Sequence, residues 1–187
     1  MSNVVTKRGA TVKKLLFAIL IIMMLLSTYI GVNAAQLYYN DEYHYYDAGE
    51  IGLMVNGANV GNLPMHPVII DDYTMVPARE VFEAMGSKVI WHDDTCRVEI
   101  IDNGISVFVK IGDRNTIVDG KTVPIDEPQP LPMLIGKGPD GLKTMVPVRF
   151  VAEKLGFLVE WNDKTRTVSI TRKETNPPEI IGGTTNG

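Results

Sequence analysis

Side chains able to do chemistry are few in this chain and are not gathered into motifs. There are three histidines, His44, His66 and His92, and a single cysteine, Cys96. A metal site needs several ligands held at fixed geometry, and none of these histidines has a histidine partner at i+2 or i+4, so no metal set is expected. His44, inside a tyrosine cluster, is the best placed of them, whereas His92 in a hairpin turn is expected to be solvated. Cys96 is expected on a strand, without the paired base that activates a thiol. The segment Gly136 to Thr144, GKGPDGLKT, has the look of a phosphate loop. Leu142 separates Gly141 from Lys143, however, and Pro147 delays the helix that would have to lie beneath the phosphates. It reads as a surface excursion between a strand and a helix. No residue is assigned a catalytic, cofactor-binding or metal-binding role.

Two arginines and two tryptophans carry the sharpest remaining signals. Arg79 and Arg149 fall in the first turn of expected helices, where a cation opposes the macrodipole, and each precedes Glu83 or Glu153 in the less favourable i, i+4 order. Tertiary contacts must compensate, so each guanidinium is expected to be largely buried on carbonyls or a carboxylate of the neighbouring hairpin. Trp91 and Trp161 alternate in register with valines and are expected as core anchors, with carbohydrate stacking as the alternative use of such rings. Tyr38, Tyr39, Tyr43, Tyr45 and Tyr46, in the Tyr-rich lead-in at 35–49, are further material for that alternative.

The elements that hold these residues come in two matching sets. Thr74 to Ile100 returns without a gap as Thr144 to Ile170, sharing Thr, Met, Val, Pro, Arg, Val, Glu, Gly, Val, Trp, Asp, Thr, Val and Ile. Two copies of so long a segment suggest a duplicated supersecondary unit, spanning about 51–101 and 105–171. Each half opens with a hairpin, turning at Asn56-Gly57 or at Asp119-Gly120. A strand, a helix and a second hairpin follow. Pro77 and Pro147 suit the first helical position, apolar residues at 78, 81, 82, 85 and at 148, 151, 152, 155 share one helical face, and Gly86 and Gly156 are expected as left-handed caps. Beyond them Val89, Trp91, Val98 and Ile100, like Val159, Trp161, Val168 and Ile170, alternate as strands do. The expected fold is α+β, a duplicated strand-helix-hairpin unit with an antiparallel sheet packed on two short helices.

Residues 1–34 are set apart from this fold. Lys7, Arg8, Lys13 and Lys14 precede the apolar run Leu15 to Leu26, and small residues end at Ala34, the pattern of a secretory signal peptide. An uncleaved anchor is the alternative, because the apolar stretch reaches roughly the 17 residues needed to span a bilayer. Of 18 basic and 22 acidic residues, these four basic ones and no acidic one fall in the leader, so the remainder is more acidic than the net charge of −4 for the whole chain. Nucleic acid and anionic membrane surfaces are therefore poor partners, and no membrane contact is expected beyond the export signal. One cysteine permits no internal disulfide, so stability must come from a packed core. Residues 50–172 form the expected ordered domain, and 173–187 read as a flexible tail.

The pattern T-M-V-P-x-R-x-V-x-E-x-x-G-x-x-V-x-W-x-D-x-T, present twice after hairpins with V-N-G or V-D-G-K, resembles the copper amine oxidase N-terminal-like domain, or stalk domain, of exported bacterial proteins. The resemblance covers about Ile51 to Arg172. It implies a non-catalytic, secreted or cell-surface module of the cell envelope, acting as a stalk, spacer or protein-interaction domain, with Pro77, Arg79, Gly86, Trp91, Pro147, Arg149, Gly156 and Trp161 as scaffold residues. Its partner would be an envelope protein or a cell-wall polymer. A peptidoglycan or carbohydrate binder, or the accessory domain of a cell-wall hydrolase, is the alternative. In an amine oxidase the copper ligands and quinone cofactor belong to a distant domain, and this chain has neither a His-x-His pair nor an Asn-Tyr-Asp/Glu cofactor precursor.

Signal peptidase is expected to cut between Ala34 and Ala35. N-terminal sequencing of secreted material checks this, and full-length protein in the membrane fraction would contradict it.

Overall fold

The computed structural model describes residues 35–46 and 49–173, together with Phe17, Ile19 and Ile21. The leader otherwise, and the tail beyond Lys173, lie outside the described residues. Two compact units divide the chain, Met1–Ala34 and Ala35–Gly187; the second carries the fold.

The second unit begins with β1 (Ala35–Tyr39) and β2 (Glu42–Tyr46), a hairpin turned by Asn40 and Asp41, both at positive φ. Over residues 35–46 the Tyr-rich lead-in, for which the sequence pattern predicts no element, is thus a two-stranded sheet. Sequence signals missed it because Asn-Asp stands where Asn-Gly would advertise the turn. β3 (Gly52–Val55) and β4 (Ala58–Asn59) follow around Asn56-Gly57, then β5 (Val68–Ile70) and β6 (Tyr73–Pro77) around Asp71-Asp72. The first helix, α1 (Ala78–Ala84), leads to β7 (Lys88–His92), β8 (Arg97–Asp102) and β9 (Ile105–Lys110). Next come β10 (Asn115–Val118), β11 (Lys121–Pro124), β12 (Met133–Ile135) and β13 (Lys143–Pro147). The chain closes with α2 (Val148–Lys154), β14 (Phe157–Asn162) and β15 (Thr167–Arg172).

The α+β class holds, but the single antiparallel sheet does not. Besides β1-β2 there are three sheets among the described residues, ordered β11-β10-β9-β8-β7, β12-β13-β6-β5 and β14-β15-β3-β4. One pair, β15 with β3, is parallel. The cause lies in which strands meet. β3 leaves its own half and pairs with the last strand of the other, a contact no hairpin can make, whereas β9 reaches β8 directly through the Asn103-Gly104 turn.

At the centre β6 and β13 run antiparallel, with Val76 opposite Val146, Met75 opposite Pro147 and Pro77 opposite Met145. Residues at matching places in the two segments therefore face one another about a local two-fold. The strand period then sorts the side chains. Val76 and Val146 enter the larger core with Val81, Phe82, Val151, Phe157, Ile100 and Ile170. Met75 and Met145 point the other way, into a smaller cluster with Leu37, Met65, Val68 and Ile135. The β1-β2 hairpin covers that cluster: Leu37 is buried, and Tyr39 and Tyr46 pack beside it.

Pro77 and Pro147 occupy the position just before each helix and not its first turn, with φ −64 and ψ 116 or 108. That ψ is extended, so each proline ends a strand and fixes the exit angle into the helix. Gly86 and Gly156 have φ of +87 and +85. In the first, Ser87 N–H reaches Phe82 O at 2.9 Å and Gly86 N–H reaches Glu83 O at 2.9 Å, the paired bonds of a Schellman cap.

The larger core is closed by an ion pair between matching positions. Asp102 and Arg172, 70 residues apart, form two parallel hydrogen bonds of 2.8 and 3.0 Å, and Ser87 Oγ donates to Asp102 at 2.7 Å. The Arg172 guanidinium also lies 4.4 Å over the Phe157 ring. The Asp102 side chain is 2 % exposed and that of Arg172 39 %. Burial pushes the Asp102 carboxyl up, but the hydrogen bonds and charge of Arg172 with the Ser87 hydroxyl outweigh it and hold the carboxyl below its ordinary value. Because the unfolded carboxyl has the higher pKa, this stabilisation is complete above the unfolded value and is lost as pH falls through the folded one. Asp102→Asn should cost about 2 kcal/mol at neutral pH. In urea melts the gap to wild type should close as pH drops below about 4.

Candidate functional site

The matching arginines and tryptophans line two clefts at matching places in the two halves. Arg79, Val89, Trp91 and Val98 line a cleft of about 180 Å³. Arg149, Val159, Trp161 and Val168 line another of about 370 Å³. The helix presents the arginine and the following hairpin presents the tryptophan. The opposite wall belongs to the other half: Thr144 of β13 faces the first cleft and Thr74 of β6 the second.

The arginines are not buried as expected. Their side chains are 54 % and 52 % exposed, each beside its helical glutamate at 3.3 and 3.4 Å. The carbonyl contact to the following hairpin is nevertheless present. Arg149 Nη1 donates to Val159 O at 2.6 Å, and Arg79 Nη1 stands 3.5 Å from Val89 O. A helix of only two turns presents a weak dipole, and its first turn opens to water, so the cation needs no deeper refuge. Trp91 and Trp161 are partly buried against the rim of the larger core. They sit next to the turn ends of β7 and β14, whereas Val89 and Val159, two residues earlier on the same strands, are buried in that core.

The two clefts differ in how they are filled. In the first, Lys143 Nζ meets Glu80 Oε1 at 3.2 Å across the opening, and the Trp91 indole N–H donates to Asp93. Tyr73 replaces Lys143 and the buried Phe150 replaces Glu80 at the matching places of the second, so the bridging ion pair is lost and the cleft stays wide. Asp72, Tyr73, Asp163, Arg166 and Gln129 line it as well. Gln129 Oε1 and Arg166 Nε are buried without a hydrogen-bond partner. Neither residue stands out in the sequence: Gln129 lies in a proline-rich connection, and Arg166 belongs to a four-residue turn.

The other candidates are placed as follows. His44 stacks on Tyr39 with ring centroids 3.7 Å apart, and His92 Nε2 stands 2.9 Å from Glu99 Oε2. Among the described residues no three His, Cys, Asp or Glu side chains gather as a ligand set. Cys96 is in a turn at φ +51 and not on a strand, exposed, with its sulfur 3.9 Å from Asp93 O. The Gly136 to Thr144 segment is tied back to the first hairpin, since Tyr38 and Gly136 exchange backbone hydrogen bonds of 2.8 and 3.1 Å. Of the tyrosines, Tyr43 and Tyr45 are exposed, while Tyr38, Tyr39 and Tyr46 are half-buried. The Tyr46 hydroxyl accepts from Ile69 N–H at 2.6 Å; burial raises its pKa, with that hydrogen bond and Arg166 acting against the rise.

A family model described as the copper amine oxidase N-terminal domain matches residues 54–170 and again residues 140–181. No curated protein matches the chain, and no solved structure does.

Exposure sets the size of the expected mutational effects. Arg149→Lys should cost about 1 kcal/mol, because its carbonyl bond is short, and Arg79→Lys less than half as much. Trp91→Ala and Trp161→Ala should each cost about 2 kcal/mol, the burial of part of an aromatic ring. Thermal and urea melts of the four variants check the order.

Proposed function

Because the chain belongs to the copper amine oxidase N-terminal domain family, we propose that it serves as an extracytoplasmic stalk or spacer of a bacterial cell envelope and presents an interaction surface there. The N-terminal domain of copper amine oxidases is a non-catalytic accessory domain. The basic and apolar leader supports export, and the acidic remainder suits a partner other than nucleic acid. On this reading the two halves are copies of one duplicated unit. An envelope protein or a cell-wall polymer is the partner class.

The observation that carries the stalk reading is the parallel pairing of β3 with β15. Gly52, Leu53, Met54 and Val55 lie beside Thr167, Val168, Ser169 and Ile170. Asn56 extends the ladder, its N–H donating to Ile170 O at 2.8 Å and its side-chain oxygen accepting from Arg172 N–H at 3.1 Å. When tension acts between the chain entering β3 and the chain leaving β15, these strands slide along their own length. Every hydrogen bond between them is then loaded together. A hairpin pulled open at its ends breaks its bonds one at a time, at lower force. The Asp102–Arg172 pair sits at the trailing end of β15 and resists the same slip.

Single-molecule force spectroscopy tests this, because forced unfolding reads the barrier to rupture. Pulling between attachment points at Glu50 and Lys173 should give one cooperative event at clearly higher force than pulling between Asp94 and Lys164, and Asp102→Asn should lower the first force only. Equal forces in both geometries would remove the basis of the stalk reading.

A further inference from the structure

We propose that the outward face of the five-stranded sheet docks an acidic segment of a partner protein, with its carboxylates on Arg97 and Lys110 and its apolar side chains on the row beside them. This rests on the reading of the unit as one that presents an interaction surface, and it names the chemistry that the surface takes.

The strand period sorts the sheet into two faces. Val89, Val98, Ile100, Val107 and Val109 enter the larger core, so the residues between them on each strand point outward. Register then sets those outward residues in rows across the strands. Arg97 stands directly opposite Lys110 in one row, and Ile90, Glu99, Phe108 and Ile117 follow one another in the next. Beyond that row Lys88 stands opposite Ile101. An apolar strip is thus bracketed by cations, in a unit that is acidic as a whole.

Like charges directly opposite on one face work against the pairing of their strands, and here nothing within the sheet relieves them. Neither Arg97 nor Lys110 forms an ion pair among the described residues. The carboxylate nearest in register, Glu99, is engaged elsewhere: His92 Nε2 stands 2.9 Å from it and Ser106 Oγ donates to it at 3.2 Å. The scaffold does not require the two cations either. In the matching sheet Thr167 takes the place of Arg97, and its neighbour across the ladder is Gly52. A carboxylate brought from outside supplies the missing counter-charge, as complementary charges do across protein interfaces.

The apolar strip decides between kinds of anion. Ile90, Ile101, Phe108 and Ile117 are half-buried and offer nothing to a wholly hydrophilic polyanion, whereas aliphatic or aromatic side chains set among carboxylates gain by covering them.

The full chain, produced in a secreting host, would be titrated calorimetrically with three probes of similar length: a random glutamate–tyrosine copolymer, poly-glutamate and polyphosphate. The copolymer should bind saturably and about tenfold more tightly than either of the others. Arg97→Thr, which installs the residue of the matching sheet, and Lys110→Gln should each weaken it about tenfold, while Lys164→Gln, in a turn of the other half, should leave it unchanged. Ile90→Thr should erase the advantage of the copolymer over poly-glutamate. Should a variant fail to fold, nuclear magnetic resonance of the wild type gives an independent reading: amide signals of β8 and β9 should move on adding copolymer while those of β14 and β15 stay. Sedimentation of the chain alone should show a monomer. Polyphosphate binding as tightly as the copolymer, no binding of the copolymer, binding indifferent to Arg97 and Lys110, or self-association that Arg97→Thr abolishes would overturn the assignment. Any of these removes the docking face alone, since the stalk reading rests on rupture forces.

Discussion

The antiparallel contact between β6 and β13 is the constraint on which the remaining structure depends. Both strands are inaccessible to water where they cross, with Met75, Val76, Met145 and Val146 all fully buried. Strands covered on both faces lose their backbone groups to the interior, and pairing with each other satisfies them. One side of the contact then becomes the floor of the larger core and the other the floor of the methionine cluster. The helices leave from Pro77 and Pro147 at its two ends, so their positions, and those of the tryptophan hairpins after them, follow from this crossing.

From that centre the halves exchange their outer parts. The hairpin at the start of the first half completes the sheet of the second, and β9 to β11, which open the second half, complete the sheet of the first. Neither half contains a finished sheet of its own. Unfolding one must expose the other, which makes the unit cooperative and links the start of the fold to its end through β3, β15 and the Asp102–Arg172 pair. The proposed stalk role draws on this cooperativity and not on any single reactive group.

Matching places in the two halves also carry different residues, and their surroundings differ accordingly. Glu80 and Lys143 close one cleft, and their counterparts Phe150 and Tyr73 leave the other open. Likewise Ser87 and Phe157 share one position, one bonding to the carboxylate and the other lying beneath the guanidinium of the same ion pair. The near-symmetric scaffold permits this because a different residue at one of two matching places leaves the common packing intact.

Much of the local structure was legible in the residues alone. Glycine after asparagine or aspartate marked turns at Asn56 and Asp119, the shift from helical to alternating spacing located α1, α2 and the tryptophan hairpins, and Gly86 and Gly156 marked the helix ends, because backbone stereochemistry acts over a few residues. The copper amine oxidase N-terminal family was legible too, since the recurring motif carries it. Only the tertiary structure decided which strands meet. It set β3 parallel to β15, joined Asp102 to Arg172, raised the tryptophans to the rim and half-exposed the arginines, and put Gln129 and Arg166 in one cleft. Each of these depends on contacts between residues far apart in the chain, where many pairings satisfy the same local pattern and only the shared burial of both halves selects one.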